Sequence, residues 1–117
     1  MSYDIELVDH VTKDVIALDA PHGMKGGTYA VGGEPMARFN ITYNYAPIIG
    51  RVIDGGLRGL YGKSGGEAIP LLESAIGKLK DDVDGDYWKP TEGNVKRALC
   101  AVLALSRMRP DGIWNGD

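Results

Sequence analysis

Cysteine is almost absent, with Cys100 standing alone among 117 residues. A single thiol allows neither an internal disulfide nor a cysteine zinc site, a usage that fits a reducing compartment. Histidine is scarce too: His10 and His22 have no second ligand at helical metal spacing, so each reads as a turn or surface residue, and no metal or cofactor is expected. Long apolar runs are missing. The longest, residues 98–105, falls well short of the roughly 20 residues of a membrane span. The amino terminus lacks the basic-then-apolar pattern of a signal peptide, so the expectation is a cytoplasmic protein without a membrane. No sign of charge dominates either. Thirteen Lys and Arg against sixteen Asp and Glu leave −3 at pH 7, which gives no reason to bind nucleic acid non-specifically.

Glycine is in surplus instead, at 17 of 117 residues, about twice the average usage. The chain is of one-domain length and shows no repeat or linker, so residues 1–117 are expected to form one domain, with strands mainly in 1–45 and helices mainly in 46–117. Tyr3, Ile5 and Leu7 alternate with polar residues as on a half-buried strand, and a hairpin partner begins near Val15 to Leu18. Pro21, Gly23, Gly26 and Gly27 read as a loop, and residues 28–31 and 36–43 as two further strands around Gly32 and Gly33. In the last of these Phe39, Ile41 and Tyr43 share one face, and Asn40, Thr42 and Asn44 the other.

From Pro47 the period changes to about 3.6. Pro47 suits a first helical turn, and the helix should end near Gly55 and Gly56. Ser64 and Glu67 have capping-box spacing for a second helix, although Pro70 argues for a start nearer position 70; either start buries Leu72, Ala75, Ile76 and Leu79. Thr91 is a good N-cap for a third helix reaching about Met108, whose apolar middle is uniform around its circumference and so should be enclosed, by the rest of the fold or by a second subunit. Ile113 and Trp114 read as a tail. The expected fold is α+β: a small, mainly antiparallel sheet of four to five strands with three helices, the C-terminal helix central. A homodimer or higher oligomer is expected.

Motifs of catalysis fail on spacing. Gly62-Lys63-Ser64 resembles the end of a phosphate loop, but five residues rather than four separate it from Gly56, and Leu57 stands where glycine is required. Gly62-x-Ser64-x-Gly66 matches a nucleophile elbow, yet both histidines precede the serine, the wrong order for that hydrolase fold. Asp82, Asp84 and Asp86 alternate like calcium-loop ligands, but Tyr87 takes the glycine position and Gly93 the place of the bidentate glutamate. Cys100 reads as a small core residue rather than a nucleophile.

What remains is a pocket inventory, with aromatic planes beside amides and a few cations, as a base-plus-phosphate ligand requires. The candidate ligand-binding residues are Asn40, Thr42, Asn44 and Tyr45 at the end of the strand region, and Tyr61, Lys63, Ser64 and Glu67 in the glycine-rich loop. Trp88, Thr91, Asn94, Arg97 and Arg109 complete them. Lys63, Ser64 and the amides of Gly65 and Gly66 would favour an anion at a helix start. Gly93 and Asn94 are poor helix residues in a first turn, which suggests close backbone approach there, by a neighbouring segment or by a ligand.

The strings Phe39-Asn-Ile-Thr-Tyr-Asn-Tyr45, Leu60-Tyr-Gly-Lys-Ser-Gly65, Tyr87-Trp-Lys-Pro-Thr-Glu-Gly-Asn94 and Met108-Arg-Pro-Asp-Gly-Ile-Trp114 resemble a family of small uncharacterised bacteriophage and prophage proteins, from about Thr28 to the end of the chain. The resemblance implies a setting, the cytoplasm of a host bacterial cell, and carries over no activity or site residue. Small phage proteins outside the virion and replication modules often antagonise host defence. The expectation is therefore non-catalytic sequestration of a nucleotide-derived small molecule that serves as a defence signal. One alternative is a protein-interaction inhibitor of a host defence enzyme, acting through a face around Trp88 and Trp114. Another is a small phosphoester hydrolase, with Glu67 or Glu92 as base and Lys63 or Arg97 as stabiliser.

Overall fold

The computed structural model describes residues 2–22 and 34–117. Strand β1 (Ser2–Val8) is central to a three-stranded antiparallel sheet, with β4 (Arg38–Thr42) on one edge and β5 (Ile113–Gly116) on the other. A separate antiparallel ribbon joins β2 (Ala17–His22) to β3 (Glu34–Met36). The helices are α1 (Ala46–Val52), α2 (Gly65–Gly77) and α3 (Glu92–Met108), with short 3-10 turns at Tyr43–Tyr45 and Leu57–Leu60. The fold is α+β, as the sequence patterning predicts, but the five strands among the described residues divide between two sheets.

That division follows from edge availability, because a strand has only two. β4 pairs with β1 from Ser2↔Thr42 to Glu6↔Arg38, and β5 pairs from Ile5↔Gly116 to Val8↔Ile113. The expected β1–β2 hairpin therefore reduces to a bridge at Val8↔Val15, made by the Ile16 amide donating to the Leu7 carbonyl and the Asp9 amide to the Asp14 carbonyl. Ala37, fully buried, splits the expected strand 36–43: its amide donates to the Ile16 carbonyl and its carbonyl accepts from the Leu7 amide. Pro21, expected in a loop, lies within β2. The expected loop glycines 23, 26, 27, 32 and 33 and the expected strand 28–31 lie outside the described residues.

The inward sheet face carries Tyr3, Ile5, Leu7, Ile41 and Trp114, all buried. The outward face carries Asp4, Glu6, Asn40 and Asn115, the alternation expected of a sheet with one solvated side. One hydrophobic cluster joins that inward face to Ile48 and Ile49 of α1, Ala68, Leu72 and Ala75 of α2, and Val95, Leu99, Val102 and Leu105 of α3.

The helix ends obey their local signals. Ser64 and Glu67 form a reciprocal capping box, so α2 starts there and runs through Pro70 rather than starting near it. The start does not depend on the bond that proline removes: the Gly65 and Gly66 amides donate to the Gly112 and Pro110 carbonyls, and Ser64 bridges to Ile113. Thr91 caps α3 by accepting from the Asn94 amide. The third helix is central but not enclosed on every side, because Arg97, Cys100, Arg107 and Met108 face solvent. Cys100 is thus an exposed residue and not a core one.

Trp114 corrects a second expectation. It is no tail residue but the largest fully buried side chain, 1% exposed. Its Nε1 donates to Ser106 Oγ at 3.0 Å, and that hydroxyl donates to the Val102 carbonyl at 2.9 Å. Ser106→Ala leaves the indole N–H buried without an acceptor, so it should lower unfolding stability by about 1–3 kcal/mol in urea titration. A loss within error would mean the indole finds another partner.

Candidate functional site

The residues singled out from the sequence fall into separate groups. The first surrounds the acidic loop 81–90. Asn94, 5% exposed, sits in the first turn of α3 and organises that loop: its Oδ1 accepts from the Asp84 amide, and its Nδ2 donates to the Asp86 and Lys89 carbonyls. Gly93 beside it is required because a Cβ there would stand 2.5 Å from the Val83 nitrogen and 2.6 Å from the Asp82 carbon. The close approach expected at this glycine is that of the loop backbone. The three carboxylates spaced like calcium-loop ligands each accept from a backbone amide: Asp82 from that of Gly93, Asp84 from that of Asp86, and Asp86 from that of Trp88. Among the described residues no cluster of His, Cys, Asp or Glu could hold a metal.

The loop is also tied to the end of β4. Tyr45, wholly buried, donates its hydroxyl to the Tyr87 carbonyl, and their rings lie 5.3 Å apart. Burial pushes the Tyr45 phenol far above its ordinary value. Tyr87 Oη accepts from the Thr42 amide, Thr42 Oγ1 accepts from the Asn44 amide, and Asn44 Nδ2 donates to the Trp88 carbonyl at 2.9 Å. Asn44, Tyr45 and Asn94 thus spend these polar atoms on holding the loop, and the Thr42 and Thr91 hydroxyls cap the 3-10 turn at Tyr43 and α3. Thr42, Tyr45 and Asn94 are also buried and cannot face a ligand as predicted. Asn40 is half-buried on the outward sheet face. Trp88 remains 49% exposed, edge-on to Tyr87, and Arg97 is exposed on α3.

The second group is the start of α2. Here the amides expected to hold an anion are taken: Gly65 and Gly66 by Gly112 and Pro110, Glu67 by Ser64 Oγ. A Cβ at Gly65 would stand 2.7 Å from the Arg109 carbonyl oxygen, so the chain itself fills the approach to this helix end. Glu67 Oε1 accepts from the Ser64 amide, and that bond holds its carboxyl below the ordinary glutamate value. Glu92, the other candidate base, accepts from the Lys80 amide. Arg109 grips Asp111 with two bonds of 3.0 and 2.8 Å.

Tyr61 belongs to a third place. Its hydroxyl is buried without a hydrogen-bond partner among the described residues, and burial pushes its phenol far above the ordinary value. Arg58 lies over the rings of Tyr3 and Tyr43 at 5.2 and 5.8 Å while bonding Asp117.

A cavity of about 450 Å3 opens between the end of α1 and the outer side of α2. Val52, Ile53, Asp54, Gly59, Lys63, Leu71, Ser74 and Lys78 line it. Of the residues named from the sequence only Lys63 is among them, so the expected convergence of Asn44, Lys63 and Asn94 does not occur in this cavity. Arg58, Lys89, Lys96, Arg107 and Arg109 have carboxylates within 4 Å, whereas among the described residues Lys13, Arg51, Lys63, Lys78, Lys80 and Arg97 have none; of these only Lys63 and Lys78 line the cavity, and the charge of Lys63 is felt by Glu67. Leu71, Ser74 and Lys78 were legible as one helical face by their spacing of three and four; Asp54 gave no such signal.

No family model, curated protein or solved structure matches the chain. Among the described residues no helix is long and apolar enough to cross a membrane.

Two expectations follow from this wiring. Asn94→Ala should cost about 2 kcal/mol and speed hydrogen exchange at the Asp84 amide; unchanged exchange would show the loop to be held by Tyr45 and Tyr87 alone. The Asp111 carboxyl is held at about 2 by the Arg109 guanidinium, against an ordinary 3.8. Because its folded value is depressed, its contribution is present above the ordinary value and lost as pH falls toward 2. Carbon-detected NMR titration should place its midpoint near 2, rising toward the ordinary value in Arg109→Gln.

Proposed function

We propose that this chain is a non-catalytic binding protein that captures a nucleotide-derived small molecule in the cavity between α1 and α2, in the setting of a phage removing a host defence signal. The observation that carries this reading is a cavity of about 450 Å3 lined by two lysines, Lys63 and Lys78, and by Ser74, neither lysine having a carboxylate within 4 Å among the described residues. That volume lies within the range of small-molecule sites. An ammonium left unpaired in a concavity raises the local concentration of anions, and a phosphate is the anion a nucleotide presents. The phage setting comes from the resemblance of four sequence strings, and a homodimer or higher oligomer belongs to the same proposal.

A hydrolytic reading has lost its bases. Glu67 is spent in the α2 capping box with its proton affinity lowered, and Glu92 accepts from the Lys80 amide. The protein-interaction reading keeps Trp88, half-exposed on a loop that is otherwise bonded in place, but loses Trp114 to the core. Its signature is a host-protein complex that disappears in Trp88→Ala, without any response to small molecules.

Thermal denaturation with nucleotides, cyclic nucleotides and ADP-ribose compounds tests the first reading. A ligand at 100 times its dissociation constant should add about 2.7 kcal/mol of stability, and Lys63→Gln with Lys78→Gln should remove that gain. No gain with any compound at saturation would sink it.

A further inference from the structure

The walls of the cavity say which part of such a ligand they recognise. A nucleobase is held chiefly by an aromatic plane to stack on, with side-chain amides or other polar groups bonding its edge. The lining holds no aromatic residue, no asparagine and no glutamine. The aromatic residues nearby in sequence are engaged elsewhere: Tyr61 lies against Gly116 with its hydroxyl buried, Tyr43 is with Tyr3 and Arg58, Tyr45 with Tyr87, and Trp88 with Tyr87. What the cavity presents instead is two cations, one hydroxyl and one carboxylate, with Val52 and Leu71 as aliphatic walls.

The carboxylate is the informative member. Asp54 is exposed and lines the same cavity as Lys63 and Lys78, yet has no ion-pair partner within 4 Å among the described residues. Beside a bare phosphate it would only repel. Beside a phosphorylated sugar it has a use, because an ionised carboxylate accepts hydrogen bonds from vicinal hydroxyls while cations elsewhere hold the phosphate. We infer that the cavity formed by Asp54, Lys63, Ser74 and Lys78 recognises the ribose-phosphate portion of its ligand and is indifferent to the base. This inference rests on the capture reading above and narrows it to a substrate class: a phosphorylated ribose, free or within a nucleotide. Lys63 and Lys78 hold the phosphate, Ser74 donates to it, and Asp54 accepts from the sugar hydroxyls.

Isothermal titration of the full chain with AMP, GMP, UMP, ribose 5-phosphate and inorganic phosphate tests this. The three nucleotides should bind within about threefold of one another, ribose 5-phosphate within about tenfold of them, and inorganic phosphate more weakly by a further tenfold or so. The isosteric Asp54→Asn should weaken ribose 5-phosphate about tenfold while leaving inorganic phosphate unchanged or tighter. A destabilised fold would weaken both together, so the opposite responses separate recognition from damage. Lys63→Gln and Lys78→Gln should weaken every phosphate-bearing probe. Nucleotide binding without ribose 5-phosphate binding, or an Asp54→Asn variant with unaltered ribose 5-phosphate affinity, overturns the ribose-phosphate assignment and leaves capture standing. Absence of binding by all the probes overturns the ribose-phosphate assignment, and absence of stabilisation by cyclic nucleotides and ADP-ribose compounds as well overturns capture.

Discussion

The seat of Trp114 is the constraint on which the rest of the molecule depends. The indole lies at the far end of the chain from β1 yet pairs across the sheet with Leu7, and its N–H is anchored through Ser106 inside α3. Its backbone works in the opposite direction. The Trp114 carbonyl accepts from the Gly62 amide, and its own amide donates to the Lys63 carbonyl at 2.8 Å. Through those bonds residues 62–64 are laid along the free edge of β5, which both covers an edge that would otherwise invite association and sets where α2 begins. The position of Lys63 at the cavity is therefore a consequence of where a core tryptophan sits.

A second consequence concerns polar side chains. Buried or half-buried donors and acceptors must find partners, and in a domain this small the partners are mostly the chain's own loops. Asn94 shows how completely such a demand can absorb a residue that looks functional. Its amide closes a loop rich in aspartate, and the aspartates in turn cap amides of the same loop. Tyr45 and Asn44 tie that loop to β4. Asparagines, tyrosines and carboxylates close together in sequence thus form a structural joint, with Trp88 as its exposed apolar member.

This joint explains what could be read from the sequence. Local rules were legible: the Ser64–Glu67 box, the Thr91 cap, Pro47 in the first turn of α1, and the alternation of β1 each depend on neighbours a few residues away. Sheet partnership was not, because whether β1 takes β2 or β5 as neighbour is decided by a strand more than a hundred residues distant, which nothing in the β1 pattern specifies. Fates of single polar residues were less legible still. Asn94 and Lys63 were both sound ligand candidates by chemistry, and only tertiary hydrogen bonding separates them: one is consumed by loop carbonyls, the other is left with its ammonium at a cavity. Cys100 was misread for a related reason, since a uniformly apolar stretch of α3 gives no period from which to tell its outward stripe from its inward one.

Lys63 and Lys78 carry the more general point. A lysine beside a carboxylate, as Lys96 is beside Asp81 at 2.7 Å, gains little at a solvated surface but has its charge answered. Some of the paired cations are so placed by short-range sequence or by helix-to-helix contact, Arg109 by Asp111 two residues on and Arg107 of α3 by Glu73 of α2; Arg58 is so placed by the distant Asp117. Lys63 and Lys78 arrive at their cavity from opposite ends of α2, with a carboxylate that neither of them reaches. Nothing in folding stability requires that arrangement, since a closer Asp54 would answer one of the charges at no cost to the core. Separated charges of both signs around one concavity are instead what a ligand bearing both an anion and hydroxyl donors would complete.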